Sequence, residues 1–297
     1  MPSAFWDKVV QRNRSALESG DLAPLETEEA TIQEAGLPFT IRWAASLADK
    51  DVAREKDAAS ATLPGGPRDP DFNPFLNPDP ALLVGPIGEA HQAILNKFPV
   101  CEHHLVLARR EFAEQLAPLE TSDFLALAHV MSARGGLGFY NGGPAAGASQ
   151  RHKHVQWIPP AAGNASLHAL VTQLAPAAAS TDTHFHDNLP FRHCFIRVKA
   201  GQGMDEAASA ASMLEGFNQA RVALQLDVDE DGLLPAFNML VNDHWMLVVG
   251  RSKEHYKDIS INALSFGGTL YVPDPAQLDT IRQAGALAVL ASVGWPR

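Results

Sequence analysis

Cysteine is nearly missing from this chain: Cys101 and Cys194 are the two present in 297 residues. Two thiols cannot build a disulfide framework or a Cys-rich zinc centre, and they fit a reducing compartment. No run of about 18 apolar residues occurs, so no membrane-spanning helix is expected. The N-terminal MPSAFWDKVVQRNRSALESG mixes charges into its apolar positions, unlike a secretory signal. Basic residues are outnumbered, with 23 Lys and Arg against 34 Asp and Glu and a net charge of -11. That balance argues against wrapping nucleic acid, although a local cluster of donors can still hold a phosphate. The expectation is a cytoplasmic protein with neither a nucleic-acid nor a membrane partner. What is present is 46% hydrophobic and 19% charged, enough for a large core in one domain or two joined lobes.

Trp6, Val9, Val10 and Leu17 recur at helical spacing, which predicts an opening amphipathic helix. Seven prolines between Pro64 and Pro86 predict an irregular, extended loop, because each removes an amide donor and fixes φ. AILNKF and HHLVLAR read as strands split by Pro99. Thr121–Arg134 reads as a helix with Phe124, Leu127, Ala128 and Met131 on one face, capped by Thr121 or Ser122 and ended by Gly135-Gly136. Leu137–Tyr140 and Arg151–Ile158 read as strands around a glycine-rich loop, and Pro160–Asp182 as a connector. RHCFIRV then reads as a strand, followed by a helix presenting Met213, Phe217, Ala220 and Leu224. FNMLV and WMLVVGR flank Asn242-Asp243, and a last helix covers Gln277–Leu287. No internal repeat is visible. Without a regular βαβ rhythm, the fold class expected is α+β with an antiparallel sheet.

The informative segment is NGGPAAGASQRHKHVQW at 141–157. On a strand, period 2 puts His152, His154 and Gln156 on one face and Arg151, Lys153 and Val155 on the other. Two imidazoles and an amide in a row are costly in a core, since each needs hydrogen-bond partners. The glycines before them let main-chain amides approach a ligand, and Ser149 adds a hydroxyl. Amides, hydroxyl and imidazole together suit holding a phosphate and attacking it. No Gly-Lys-Ser/Thr follows the glycines, so this is not a Walker A loop.

H-x-H-x-Q behind a Gly-Ala-Ser-Gln loop resembles the transferase branch of the histidine-triad superfamily. NKFPVCEHHLVLARREF, GASQRHKHVQ, LPFRHCFIRV and FNMLVNDHWMLVVGRSKEH, in that family's order, resemble the ATP adenylyltransferases, also called diadenosine tetraphosphate phosphorylases. The resemblance implies a histidine-triad-like antiparallel sheet flanked by helices, with an N-terminal region at 1–175 and a C-terminal region at 188–297. It implies phosphorolysis of diadenosine tetraphosphate to ATP and ADP through an adenylyl-histidine at His154. It casts Gln156 as a donor to the phosphate and His152 as an orienting partner. Asn141, Gly147, Ala148, Ser149 and Gln150 would surround the nucleotide, with Asn73 and Phe75 in a contacting loop and Lys50 and Lys253 as cationic contacts. Asn242 stands where the resemblance implies a small polar contact, usually threonine. The implied partners are small molecules: diadenosine polyphosphates, ATP, ADP and phosphate. Mg2+ would accompany the polyphosphate, with no protein metal cage, and the chain would act as a monomer or homodimer. If the neutral imidazole attacks, the rate should fall as pH drops from about 8 to 5, where an ordinary histidine titrates.

Sugar-1-phosphate nucleotidylyl transfer is the nearest rival, but its enzymes typically carry proline between the two histidines, where Lys153 stands here. A non-catalytic dinucleotide sensor is the other. His103 and His104 read as ordinary strand residues, one ring buried and one exposed. His184, His186, His193 and Cys194 carry metal-ligating atoms at close spacing, yet they straddle a connector and a core strand, which weighs against zinc. The acidic turn LDVDEDG lacks the calcium-loop pattern. Asn164-Ala165-Ser166 matches a glycosylation acceptor by chance, and Trp245 is most simply core.

Overall fold

The structure is a computed structural model and describes residues 2–24, 27–43, 73–175 and 183–297. The first half comprises α1 (Pro2–Ser19), β1 (Glu28–Glu34), β2 (Leu37–Trp43), β3 (Leu83–Ile87), β4 (His91–Leu95), β5 (Leu105–Arg109), α2 (Thr121–Arg134), β6 (Leu137–Gly142), β7 (His154–Ile158) and α3 (Ala169–Leu174). The second half comprises β8 (Thr183–His184), β9 (His193–Arg197), α4 (Glu206–Leu224), β10 (Phe237–Val241), β11 (Trp245–Gly250), β12 (His255–Tyr256), β13 (Ile259–Ser260), α5 (Ala263–Gly267), β14 (Thr269–Val272), α6 (Gln277–Ala284) and α7 (Ala286–Val293).

Among the described residues, nine strands form one antiparallel sheet in the order β3-β4-β5-β7-β6-β10-β11-β9-β8. The expected α+β class is what the chain adopts. A second sheet pairs β1 with β2, and β2 in parallel with β14. One core lies between the large sheet and α1, α2 and α4, with Phe124, Tyr140, Trp157 and Phe217 inside it. The other lies under α3, α5 and α7 on the opposite face, around Phe139, Phe195, Leu240 and Phe266.

A repeat invisible in the residues is plain in the topology. Strand, helix and two adjacent antiparallel strands occur as β5-α2-β6-β7 and again as β9-α4-β10-β11. The two units meet where β6 pairs with β10, and α2 packs on α4 with Phe124 and Phe217 rings 5.9 Å apart. Strands of both halves are therefore hydrogen-bonded in one sheet.

Several expectations need correcting. Leu17 is 42% exposed, and the buried seam of α1 runs instead through Val9, Asn13 and Ala16. Pro86 lies in strand β3, which proline tolerates because β3 is an edge strand of the sheet. Helix α2 has the expected bounds, but Glu120 is its N-cap, and the Asp123 carboxylate accepts from the Glu120 amide at 2.8 Å. The supposed connector holds a 3₁₀ stretch, Ala162–His168, and α3, whose Leu170, Val171 and Leu174 join the second core. Its remainder, 176–182, lies outside the described residues. The last helix is two, broken at Gly285, where φ is 86° and an added Cβ would strike Glu34 Oε1 at 2.7 Å.

Candidate active site

The regular strand begins at His154, while His152 makes an isolated bridge to Glu114. His152, His154 and Gln156 still share a face, as period 2 requires. His154 sits opposite Ala108 of β5, a small neighbour that leaves room over the sheet. Where β6 and β7 stop pairing, the buried Gln115 side chain takes over. Its Oε1 accepts from His154 N at 2.9 Å, and its Nε2 donates to the carbonyls of Asn141 and His154. The backbone of His154 is thereby fixed on both sides.

His154 Nδ1–H donates to the carbonyl of His152 at 2.8 Å. A neutral imidazole with its proton on Nδ1 keeps its lone pair on Nε2, so Nε2 is the atom able to attack. Burial lowers the pKa to about 4, opposed by the His152 carbonyl and reinforced by the His152 ring. The ring therefore stays neutral across the range in which a decline was expected. The single-turnover rate of adenylylation, measured without phosphate, should be flat from about pH 8 to 5 and fall as pH drops through about 4. A decline centred near pH 6.5 in single-turnover adenylylation would contradict this.

The orienting role assigned to His152 belongs to its main chain. Its ring does something else: Nε2 donates to the Arg109 carbonyl at 2.7 Å, and Nδ1 lies 3.0 Å from Asn73 Oδ1. Asn73 Oδ1 accepts from the amides of Phe75 and Leu76. This Asx turn puts the Phe75 ring 4.8 Å from that of His154. The half-exposed Phe112 ring lies 5.6 Å from His152, beside a cavity of about 420 Å³ lined by Glu89, Ala90, Arg109, Arg110 and Glu111.

Gln156 is aimed by a residue that the sequence reading passed over. The buried His104 accepts from Val100 N on Nδ1, so its Nε2–H donates to Gln156 Oε1 at 3.0 Å. The 3.5 Å approach of Asn96 Nδ2 is too long to reverse this. Gln156 then has its NH2 group left for a ligand. Burial lowers the His104 pKa to about 4 and keeps it neutral, against the opposing pull of Gln156.

The glycine-rich loop works differently from expectation. The amides of Gly143, Ala146, Gly147 and Ala148 already donate within the turn. Donors for a phosphate are thus the amides of Ser149 and Gln150, which make no bond to a described residue, and the exposed Ser149 hydroxyl. Gly147 has φ of 86°, and an added Cβ would come within 3.0 Å of the Ile261 carbonyl and Asn262 Cβ. Ala148 is buried beside it. Asn141 is brought to the same place: its Oδ1 accepts from Asn238 Nδ2 and Ala263 N, each at 2.9 Å. Lys253 is exposed on the segment whose carbonyl binds Arg251. Asn242 is not brought in. It makes the β10–β11 turn, accepting from His244 and Trp245 amides, four residues along the strand from Asn238. Lys50 lies outside the described residues.

On the opposite face from His152 and His154, Lys153 is 1% exposed and its Nζ lies 2.8 Å from Asp123 Oδ2. His91 Nε2 lies 3.0 Å from the other carboxylate oxygen, and Lys153 also donates to the Pro118 carbonyl at 2.6 Å. Burial alone would raise the Asp123 carboxyl; the His91 hydrogen bond and the Lys153 ammonium overcome that and bring it to about 2. A lysine between two site histidines faces the core by strand parity, where it requires a carboxylate. That was the available signal.

Among the described residues, no three His, Cys, Asp or Glu side chains are grouped to hold a metal ion. His193 is occupied at both nitrogens, by the Phe191 carbonyl and the His186 amide. Nor is any described helix long and apolar enough to cross a membrane.

Residues 1–175 match the Ap4A phosphorylase N-terminal domain, and 187–296 match the ATP adenylyltransferase C-terminal domain. The chain belongs to this family. It is 26% identical to diadenosine 5',5'''-P1,P4-tetraphosphate phosphorylase 2 of Saccharomyces cerevisiae, over 93% of this chain and 89% of the relative. With Protein APA1 of the same yeast, identity is 24% over 100% of this chain and 96% of the relative. Its fold is similar to that of yeast Ap4A phosphorylase Apa2 in complex with Ap4A, at a TM-score of 0.73 and 22% identity, covering 99% and 98% of the two chains. For the Apa2 complex with AMP the TM-score is 0.74.

Proposed function

We propose that this enzyme cleaves diadenosine tetraphosphate by phosphorolysis in two half-reactions at His154. In the first, the Nε2 lone pair attacks the innermost phosphorus. An N–P bond forms, the P–O bond to the bridging oxygen breaks, and its electron pair leaves with ATP. The adenylylated ring, still protonated on Nδ1, is cationic and is stabilised by the His152 carbonyl. In the second, an oxygen of inorganic phosphate attacks the same phosphorus, the N–P bond breaks, ADP leaves and neutral His154 returns. The observation that carries this reading is the Nδ1–H bond to a main-chain carbonyl, which leaves Nε2 free and nucleophilic at neutral pH.

ATP is a good leaving group, so the site has little proton transfer to do and must mainly hold charge on the phosphate oxygens. Gln156 NH2, Asn141 NH2, the Ser149 and Gln150 donors and Lys253 supply that. The cavity beside Arg110 suits the departing nucleotide. Mg2+ would arrive with the polyphosphate in this reading, neutralising adjacent charges. One chain supplies both halves of the sheet, so we read the active form as monomer or homodimer. A cytoplasmic location, where Cys101 and Cys194 stay reduced, accompanies it.

The test is product analysis with and without phosphate. ATP and ADP should appear in equal amounts and only when phosphate is present beyond the first turnover. Equal turnover without phosphate would make the enzyme a hydrolase. Binding with no product would make it a sensor.

A further inference from the structure

Arg251 is 2% exposed and donates in three directions to neutral oxygens. Nη1 donates to Asn238 Oδ1, Nη2 to the carbonyls of Lys253 at 2.8 Å and Ile261 at 2.9 Å, and Nε to that of Val293 at 3.2 Å. A guanidinium can only donate, so Asn238 must turn its oxygen toward Arg251. Its Nδ2 must then point the other way, where it donates to Asn141 Oδ1 and the Ala146 carbonyl, each at 2.9 Å. The Ala263 amide, also a donor only, gives Asn141 Oδ1 a second bond at 2.9 Å. Asn141 is held by its oxygen from two sides, and its NH2 group is what remains to face outward.

We propose that Arg251 is a positioning residue which, through Asn238, fixes the direction of the Asn141 carboxamide so that a donor meets the polyphosphate. This rests on the reading that Asn141 contacts the nucleotide. A carboxamide is nearly symmetric in shape, and an isolated one turns to suit its neighbours. Turned over, Asn141 would present a carbonyl oxygen to a polyanion, replacing an attraction by a repulsion in a water-poor site. The chain of donors from Arg251 removes that choice before substrate arrives. The same guanidinium holds the carbonyls of Lys253 and Ile261, and Ile261-Asn262 packs against Gly147. One buried cation therefore anchors both the loop and the cationic segment around the phosphates. Burial lowers its pKa to about 9, still leaving it charged at neutral pH.

Asn238→Asp separates positioning from mere support. The carboxylate still accepts from Arg251, now as an ion pair, which offsets the repulsion from the two oxygens that Nδ2 had faced, so the variant should still fold. It cannot donate to Asn141 Oδ1 or the Ala146 carbonyl, and Asn141 loses its fixed direction. The expected result is a variant that still unfolds cooperatively, with adenylylation of the enzyme by diadenosine tetraphosphate slowed roughly 100-fold in a single turnover. A purely structural role predicts the reverse, a well-paired Arg251 and a normal rate. A rate within about threefold of the parent in a folded variant overturns the proposal. If Asn238→Asp does not fold, Arg251→Lys and Arg251→Met decide: the lysine, which keeps a donor for Asn238, should be at least about tenfold faster than the methionine, and equal rates overturn it. Failure of the parent enzyme to become adenylylated would overturn the functional reading itself, whereas normal adenylylation in parent and variant alike removes only the positioning role.

Discussion

Replacing His154 by alanine should reduce turnover of diadenosine tetraphosphate by on the order of 10⁴-fold or more, because no neighbouring group can take over the attack. The candidates are few. His104 is committed to Gln156 and Val100, and the His152 ring to Arg109 and Asn73. Gln156 and Asn141 cannot form a reactive phosphoramidate as an imidazole does. The loss should fall on kcat, with substrate binding little changed, since the donors around the phosphates remain. His154→Gly with added imidazole should restore part of the rate, the free base entering the space vacated. His152→Ala offers the contrast. It keeps the main-chain carbonyl that orients His154 and loses only the ring under Asn73 and Phe75, so its cost should be roughly 10–100-fold. Equal losses at the two positions would mean that the Nδ1–carbonyl bond is not what prepares the nucleophile.

The largest effect on stability is expected from Lys153→Met. The methionine fills much the same volume but leaves Asp123 buried without its ammonium partner, at a cost of about 3–5 kcal/mol in denaturant unfolding. Asp123→Asn should also destabilise, since it strips Lys153 and His91 of one shared acceptor. The double variant should cost less than the two single changes summed, because either alone already breaks the pair. Simple addition would show that the pair is not coupled and that the strand is held by its ladder alone. Because Lys153 stands between His152 and His154, partial loss of this anchor should also blur the geometry of the site and lower kcat in variants that remain folded.

Elements carried by local pattern were legible in the residues: α2, the β10–β11 pair and the face shared by His152, His154 and Gln156. Each depends on periodicity or on a stop signal a few positions away. The glycine-rich loop was legible as a place but not as a donor set, because which amides are spent inside a turn depends on its conformation. Asn242 makes a turn in the fold, a feature that a motif aligned by order cannot tell from a contact. Pro86 was misread because a proline excludes only a central strand, and edge position is a property of the finished sheet. What the sequence could not disclose are partners brought together from afar. Asn141 and Asn238 are 97 residues apart, His104 and Gln156 are 52, and Lys153 meets Asp123 across the sheet and a helix cap. None of these pairings has a local signature, although a lysine on a core-facing strand position does announce that some carboxylate must exist.

Intact-mass measurement after brief exposure to diadenosine tetraphosphate without phosphate tests the central claim most directly. The predicted result is a gain of one adenylyl group per chain, mapped to the peptide containing His154, lost on adding phosphate with release of ADP and absent in His154→Ala. Product formation with no adduct on the chain, or an adduct that survives replacement of His154, would contradict it.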